Sequence, residues 1–123
     1  MIERDIPIDG VGMQMHFNDV SNVSSRKQIA RTISKFGTLG LQVHITEMSI
    51  SCEQCAYDRD ALLRQAEGYY NALGACLDNP GVCTAFLTWG FTDAKPQEDY
   101  PLLFTAKYTK KPAFKSMLDL LLN

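Results

Sequence analysis

Leu41-Gln42-Val43-His44-Ile45-Thr46-Glu47-Met48-Ser49-Ile50 is rich in β-branched residues and reads as a buried strand. Upstream of it, Val11-Gly12-Met13-Gln14-Met15-His16-Phe17 alternates with period two. That pattern puts Val11, Met13, Met15 and Phe17 on one face, with Gln14 and His16 on the other. Between the two runs, Ser24 or Ser25 can cap a helix in which Ile29, Ile33 and Phe36 recur at helical spacing, with Gly37 as its stop. Downstream, Asp58 can cap a long helix from Arg59 to Leu77, with Leu62, Ala66, Tyr69, Leu73 and Leu77 along one stripe and Pro80-Gly81 after it. Thr84–Trp89 is a third strand, followed by a loop from Gly90 to Pro101 that contains proline and acids. Pro112 opens a last helix with Phe114, Met117, Leu118 and Leu121 on one face.

The order is β-α-β-α-β-α, which implies an α/β fold with a parallel sheet covered by helices. Residues 1–123 read as one domain, without repeats, low-complexity tracts or linkers. A closed (β/α)8 barrel typically needs about 250 residues, and this chain has 123. Three parallel strands leave two open edges. The chain is therefore part of a larger barrel or completes its edges with partner chains, and a small open α/β sheet is the alternative.

Composition removes several functions. Twelve Lys plus Arg against 14 Asp plus Glu give a formal charge of −2, with no basic excess to neutralise phosphates. Nucleic acid is not an expected partner. No apolar run approaches the roughly 20 residues of a membrane span. Met1-Ile2-Glu3-Arg4-Asp5 carries no apolar signal region, so no secretion peptide is expected within this chain. Either the chain is cytosolic, or a signal lies on sequence outside it.

Cys52, Cys55, Cys76 and Cys83 are spaced C-x2-C, twenty residues, C-x6-C. A zinc ribbon would need a second short knuckle, and six residues is wide for one. Cys76 falls at a helix end and Cys83 at the next strand start, joined through Asn79-Pro80-Gly81. That placement suits a local disulfide better than a metal site, given an oxidising compartment. Cys52 and Cys55 could form a disulfide, stay free thiols, or supply half a metal site.

Functional residues of parallel α/β folds gather at the carboxyl ends of the strands. Those ends carry Gln14-Met15-His16, then Ile45-Thr46-Glu47-Met48-Ser49, then Thr88-Trp89-Gly90-Phe91-Thr92-Asp93. A carboxylate, an imidazole, an amide and a large aromatic from successive strands can attack an anomeric carbon, bind hydroxyls and stack on a sugar ring. Each also has a plain structural reading: Glu47 as a solvated rim residue, His16 as a satisfied interior histidine, Trp89 as core.

Resemblance takes the reading further. Ile8-Asp9-Gly10-Val11-Gly12-Met13-Gln14-Met15-His16-Phe17 resembles the sixth-strand segment of family 10 glycoside hydrolases, the (β/α)8-barrel xylanases. Val43-His44-Ile45-Thr46-Glu47-Met48 resembles their seventh strand, and Trp89-Gly90-Phe91-Thr92-Asp93 the eighth. Pro101-Leu102-Leu103-Phe104 and Lys111-Pro112-Ala113-Phe114 resemble the closing segment and last helix. The resemblance implies three C-terminal β/α units, strands six to eight, of a partial TIM barrel. It implies Glu47 as the nucleophile of a retaining mechanism, His16 as its orienting partner, Gln14 near the sugar and Trp89 as the platform beneath it. The C-x6-C also resembles a disulfide of some members, pairing Cys76 with Cys83. The family acts on xylan, is extracellular, and needs no metal or organic cofactor.

The chain departs from that pattern in named places. Ser49 stands where the family usually has Asp, and Thr105 stands where many members have Asp after the Leu-Leu-Phe run. The loop Ala94-Lys95-Pro96-Gln97-Glu98-Asp99 brings no second Trp. The family's acid/base Glu follows an Asn on the fourth strand, and this chain has no Asn-Glu pair. Asp19, Glu53 and Asp93 are the acids expected near the same rim, and none lies in an acid/base motif. The isolated chain is thus expected to be a weak xylanase or none. A non-catalytic carbohydrate-binding or structural remnant is the alternative, and a metal or thiol-redox module a third. Open edges and uncovered apolar faces at Val11, Met13 and Leu41 predict a homo-oligomer, unless the N-terminal barrel portion covers them.

Overall fold

A computed structural model of the chain describes residues 2–94 and 99–123. Lys95, Pro96, Gln97 and Glu98, within the loop expected to lack a second Trp, lie outside the described residues. The sheet is parallel throughout. Its central strand is β3 (Gln42–Ile50), flanked on one side by β1 (Gly10–Met13) and β2 (His16–Phe17) and on the other by β4 (Cys83–Thr88).

β1 and β2 are two pieces of the segment expected as one strand. The break falls at Gln14–Met15, where Met15 takes the left-handed backbone (φ 62°). Alternation continues across it: Val11, Met13, Met15 and Phe17 are half-buried, while Gly12, Gln14 and His16 are exposed. β3 is irregular at the same level. Ile45 pairs with Met13 and Ser49 with His16, so four steps in β3 face three across the break. On the other edge Ile45 pairs with Phe86 and Met48 with Thr88, three steps against two. β3 therefore holds one extra residue against both neighbours, a β-bulge at Thr46–Glu47.

Helices α1 (Arg26–Gly37), α2 (Arg59–Leu77) and α3 (Pro112–Leu122) form one layer in which α2 touches both others. The core lies between that layer and the sheet, built on Ile29, Ile33, Val43, Ile45, Met48, Ile50, Tyr69 and Ala113. Ser25 closes a capping box with Gln28 at the start of α1, and Asp58 caps α2 by accepting the Asp60 N–H. The left-handed residue after α1 is Gly40 (φ 76°), not Gly37. Gly37 is instead needed for contact, because a Cβ there would sit 2.7 Å from Val82 Cγ2.

Two other expectations are corrected. Leu41 is buried, so it adds nothing to an uncovered apolar edge. On α3 the buried anchor is Ala113, and the Ser116 hydroxyl donates to the Ala66 carbonyl (3.0 Å), while Leu118 and Leu121 are exposed. α3 sits on α2 through small side chains, which leaves its larger leucines outside.

All four cysteines are consumed in two disulfides, Cys76–Cys83 and Cys52–Cys55. No free thiol remains, and no metal-holding group of His, Cys, Asp or Glu occurs among the described residues. Two local disulfides fit an oxidising compartment. No described helix is long and apolar enough to cross a membrane.

The chain after β4 is fastened by a buried ion pair. Lys111 Nζ lies 2.9 Å from Asp93 Oδ2, and both side chains are almost wholly inaccessible. Burial pushes the Lys111 ammonium below its ordinary range, opposed by the hydrogen bond and charge of Asp93. Asp93 Oδ1 accepts the Leu102 N–H (2.8 Å). Lys111→Met is expected to cost about 3–5 kcal/mol, because Asp93 is left buried and unpaired. Asp93→Asn added to it should restore most of that, since an amide oxygen still serves Leu102; denaturant melts of the three proteins measure both changes.

Candidate active site

The bulge in β3 changes which residues face outward. Val43 and Ile45 point into the core, Thr46 and Glu47 are both half-buried on the other side, and Met48 and Ile50 return to the core. A regular strand would have turned either Thr46 or Glu47 toward the helices. The Glu47 N–H donates to the Gln14 carbonyl (3.2 Å) and the Ser49 N–H to the Met15 carbonyl (3.3 Å). The break in the first strand thus supplies acceptors to the bulge beside it.

Three side chains meet there. His16 Nε2 lies 2.9 Å from Glu47 Oε2, and His16 Nδ1 lies 2.7 Å from Ser49 Oγ. Facing a carboxylate, Nε2 donates. Nδ1 of a neutral ring then accepts the Ser49 hydroxyl proton, which fixes the tautomer. Ser49, standing where the family pattern usually has Asp, therefore keeps the imidazole tethered but adds no charge. The Glu47 side chain is 24% exposed and that of His16 37%, so the pair opens to solvent.

Trp89 closes the group. Its N–H donates to the Met48 carbonyl (3.1 Å), and its ring stands edge-on to His16 with centroids 6.2 Å apart and planes at 86°. Trp89 is 57% exposed, so it does not fill the core. A cleft of about 280 Å³ runs between His16, Asn18, Ser49, Ser51, Trp89 and Pro101. Gln14 is exposed at the same strand end, and its backbone carbonyl takes the Glu47 N–H.

The three acids expected near the rim are each committed elsewhere or apart. Asp19 caps a short turn and accepts both the N–H and the hydroxyl of Ser21, hydrogen bonds that hold its carboxyl below the usual range. Asp93 belongs to the Lys111 pair. Glu53 is exposed in the turn formed by the Cys52–Cys55 disulfide. None of them forms a hydrogen bond with Glu47 among the described residues. Larger cavities lie elsewhere, one of about 310 Å³ around Asp9, Gln42 and His44 and one of about 370 Å³ beside Cys55 and Tyr100, but neither brings an imidazole onto a carboxylate.

The family model of glycosyl hydrolase family 10 matches residues 1–120. This chain belongs to that family. Among curated relatives, endo-1,4-beta-xylanase B of Neocallimastix patriciarum is 38% identical over 97% of this chain, and endo-1,4-beta-xylanase 1 of Humicola insolens is 34% identical over 94%. The chain spans only 13% and 28% of those two relatives. Native xylanase 10B from Thermotoga maritima superposes with a TM-score of 0.86 at 32% identity, over 98% of this chain and 38% of that one. Xylanase 10B from Thermotoga petrophila RKU-1, solved in complex with xylobiose, gives 0.83 at 33% identity, again over 98% and 38%. The three β/α units thus superpose on a part of the (β/α)8 barrel on which family 10 is built.

Sequence reasoning missed the polar residues behind the cleft. Gln65 is a polar residue one turn from Tyr69 on the buried stripe of α2, a signal that was available. Pro101, Asn18 and Ser51 in the cleft wall had none.

Proposed function

We propose that this chain carries the nucleophile-bearing part, strands six to eight, of a retaining endo-β-1,4-xylanase site that binds xylo-oligosaccharide. The observation that supports this most is Glu47 on the bulge of the central strand, its Oε2 held 2.9 Å from His16 with Trp89 alongside. With Oε2 engaged by the imidazole, Oε1 is the oxygen that attacks the anomeric carbon. The attack breaks the glycosidic bond and forms a glycosyl ester on Glu47, which water later cleaves. His16 keeps the carboxylate oriented, and Trp89 offers the sugar an apolar face. No metal or organic cofactor enters these steps.

A retaining mechanism needs a second carboxyl about 5–5.5 Å from the first to protonate the leaving oxygen. Asp19, Glu53 and Asp93 do not supply it, so the acid belongs to the remainder of a barrel or to a second copy of this chain. The outer edges of β1 and β4 have no strand partner among the described residues, which gives such a complement its place. Self-association is one way to fill it. General acid catalysis typically contributes 10²–10⁴-fold, so the chain alone is weak on unactivated xylan. The same absence favours a second reading, a carbohydrate-binding remnant, which would bind xylobiose and turn over nothing.

A 2,4-dinitrophenyl xylobioside separates these, because its leaving group departs without protonation. The chain is expected to hydrolyse it slowly and Glu47→Gln to abolish that rate. An unchanged rate in the variant would remove Glu47 from the role. Trp89→Ala should weaken xylobiose binding by about 1–2 kcal/mol, or roughly 5- to 30-fold in Kd by calorimetry. An unchanged Kd would return Trp89 to a structural part.

A further inference from the structure

Gln65 and Tyr69 are polar, wholly buried, and one turn apart on the face of α2 that covers the end of β3. Gln65 Nε2 donates to two carbonyls, Ile50 at 2.8 Å and Tyr100 at 2.7 Å. The Tyr69 hydroxyl donates to the Pro101 carbonyl at 2.7 Å, and burial pushes its pKa up, so it remains a donor. The Pro101 carbonyl also takes the Ile50 N–H (3.3 Å), and the Tyr100 carbonyl also takes Lys111 Nζ (2.7 Å). The Asp99 carbonyl takes the Cys52 N–H (2.6 Å). Every carbonyl from Asp99 to Pro101 is therefore held, two of them twice.

That fastening has a reason in the backbone. Tyr100 sits at φ 48°, a conformation that non-glycine residues keep only where their surroundings over-determine it. Gln65 carries a cost of its own, since its Oε1 is buried without a partner. A methionine would fill the space without that cost but would withdraw the donor from the Ile50 and Tyr100 carbonyls, so the amide serves these two hydrogen bonds and not packing. What the amide does is join two backbones: Ile50, next to Ser49 of the His16 array, and Tyr100, next to Pro101 of the cleft wall.

We infer that Gln65 and Tyr69 are positioning residues for the sugar cleft, locking the Pro101 wall to the end of the strand that carries Glu47. The inference rests on the xylo-oligosaccharide reading of that cleft. Neither residue touches substrate or the reacting atoms. They set the width between the wall and the imidazole, and so act on sugar affinity.

The test titrates xylobiose against the fluorescence of Trp89, the sole tryptophan of the chain, for wild type, Gln65→Met, Tyr69→Phe and Asp78→Asn. Asp78→Asn is the control, breaking the Arg26–Asp78 bidentate pair between α1 and the end of α2. Loss of stability alone raises the apparent Kd only by the reciprocal of the folded fraction, so each Kd is corrected by the folded fraction read from circular dichroism under the same conditions. Gln65→Met and Tyr69→Phe are each expected to raise Kd by about five-fold or more, the scale of one or two hydrogen bonds. Asp78→Asn should leave Kd unchanged. Tyr69→Phe removes only the hydroxyl oxygen and keeps the ring, so it keeps the test open should Gln65→Met not fold. Wild-type affinity in both α2 variants, or an equal shift in Asp78→Asn, would overturn the inference and leave the cleft reading intact. No xylobiose binding by the wild type would overturn both.

Discussion

One extra residue in the central strand decides where the chemistry of this chain can sit. Without the bulge at Thr46–Glu47, alternation would carry either Thr46 or Glu47 toward the helix layer, where a carboxylate has no partner. With it, Glu47 faces outward while Met48 and Ile50 still fill the core. The neighbouring strand yields at the same level, breaking at Met15 and offering the Gln14 and Met15 carbonyls to the bulged backbone. The Glu47–His16–Ser49 array is the product of these two paired irregularities.

Around that array the structure spends its buried polar groups. Behind the cleft, Gln65, Tyr69 and the Asp93–Lys111 pair all converge on residues 99–102. Groups of this kind are poor sources of net stability but good at specifying one arrangement. Here they hold a strained tyrosine and a proline against the end of β3. The two disulfides work at other corners, Cys52–Cys55 just after β3 and Cys76–Cys83 between α2 and β4. On the opposite face of the sheet His44, Thr84 and Trp89 are exposed, and His44 Nε2 lies 2.9 Å from Thr84 Oγ1.

Much of this was legible in the sequence for physical reasons. The long periodic helix from Arg59 to Leu77, with Asp58 as cap, is present with the bounds read from its pattern, because length and a cap make a helix unambiguous. The break at Met15 was not, since the alternation of Val11, Met13, Met15 and Phe17 runs through it unchanged. The bulge left a trace: buried residues fall at 43 and 45, then at 48 and 50, a slip of one in the period. Gly37 was expected as the helix stop but the positive φ falls at Gly40, because a sequence does not say which glycine needs space and which needs a positive φ. The convergence of Glu47, His16 and Trp89 was expected from strand ends and from the family pattern, whereas the Gln14 carbonyl that takes the Glu47 N–H is a backbone atom that every residue has. The clamp by Gln65 and Tyr69 was hidden within an apolar stripe.

The most direct measurement of the central claim is intact-mass spectrometry after incubation with a 2-deoxy-2-fluoro xylobioside carrying a dinitrophenyl leaving group, followed by peptide mapping. The slow fluorinated ester would accumulate on the attacking carboxylate without any help from an acid. The account predicts one added fluoroxylobiosyl group, on Glu47. A label on another residue, or none on a folded chain that binds xylobiose, would contradict it.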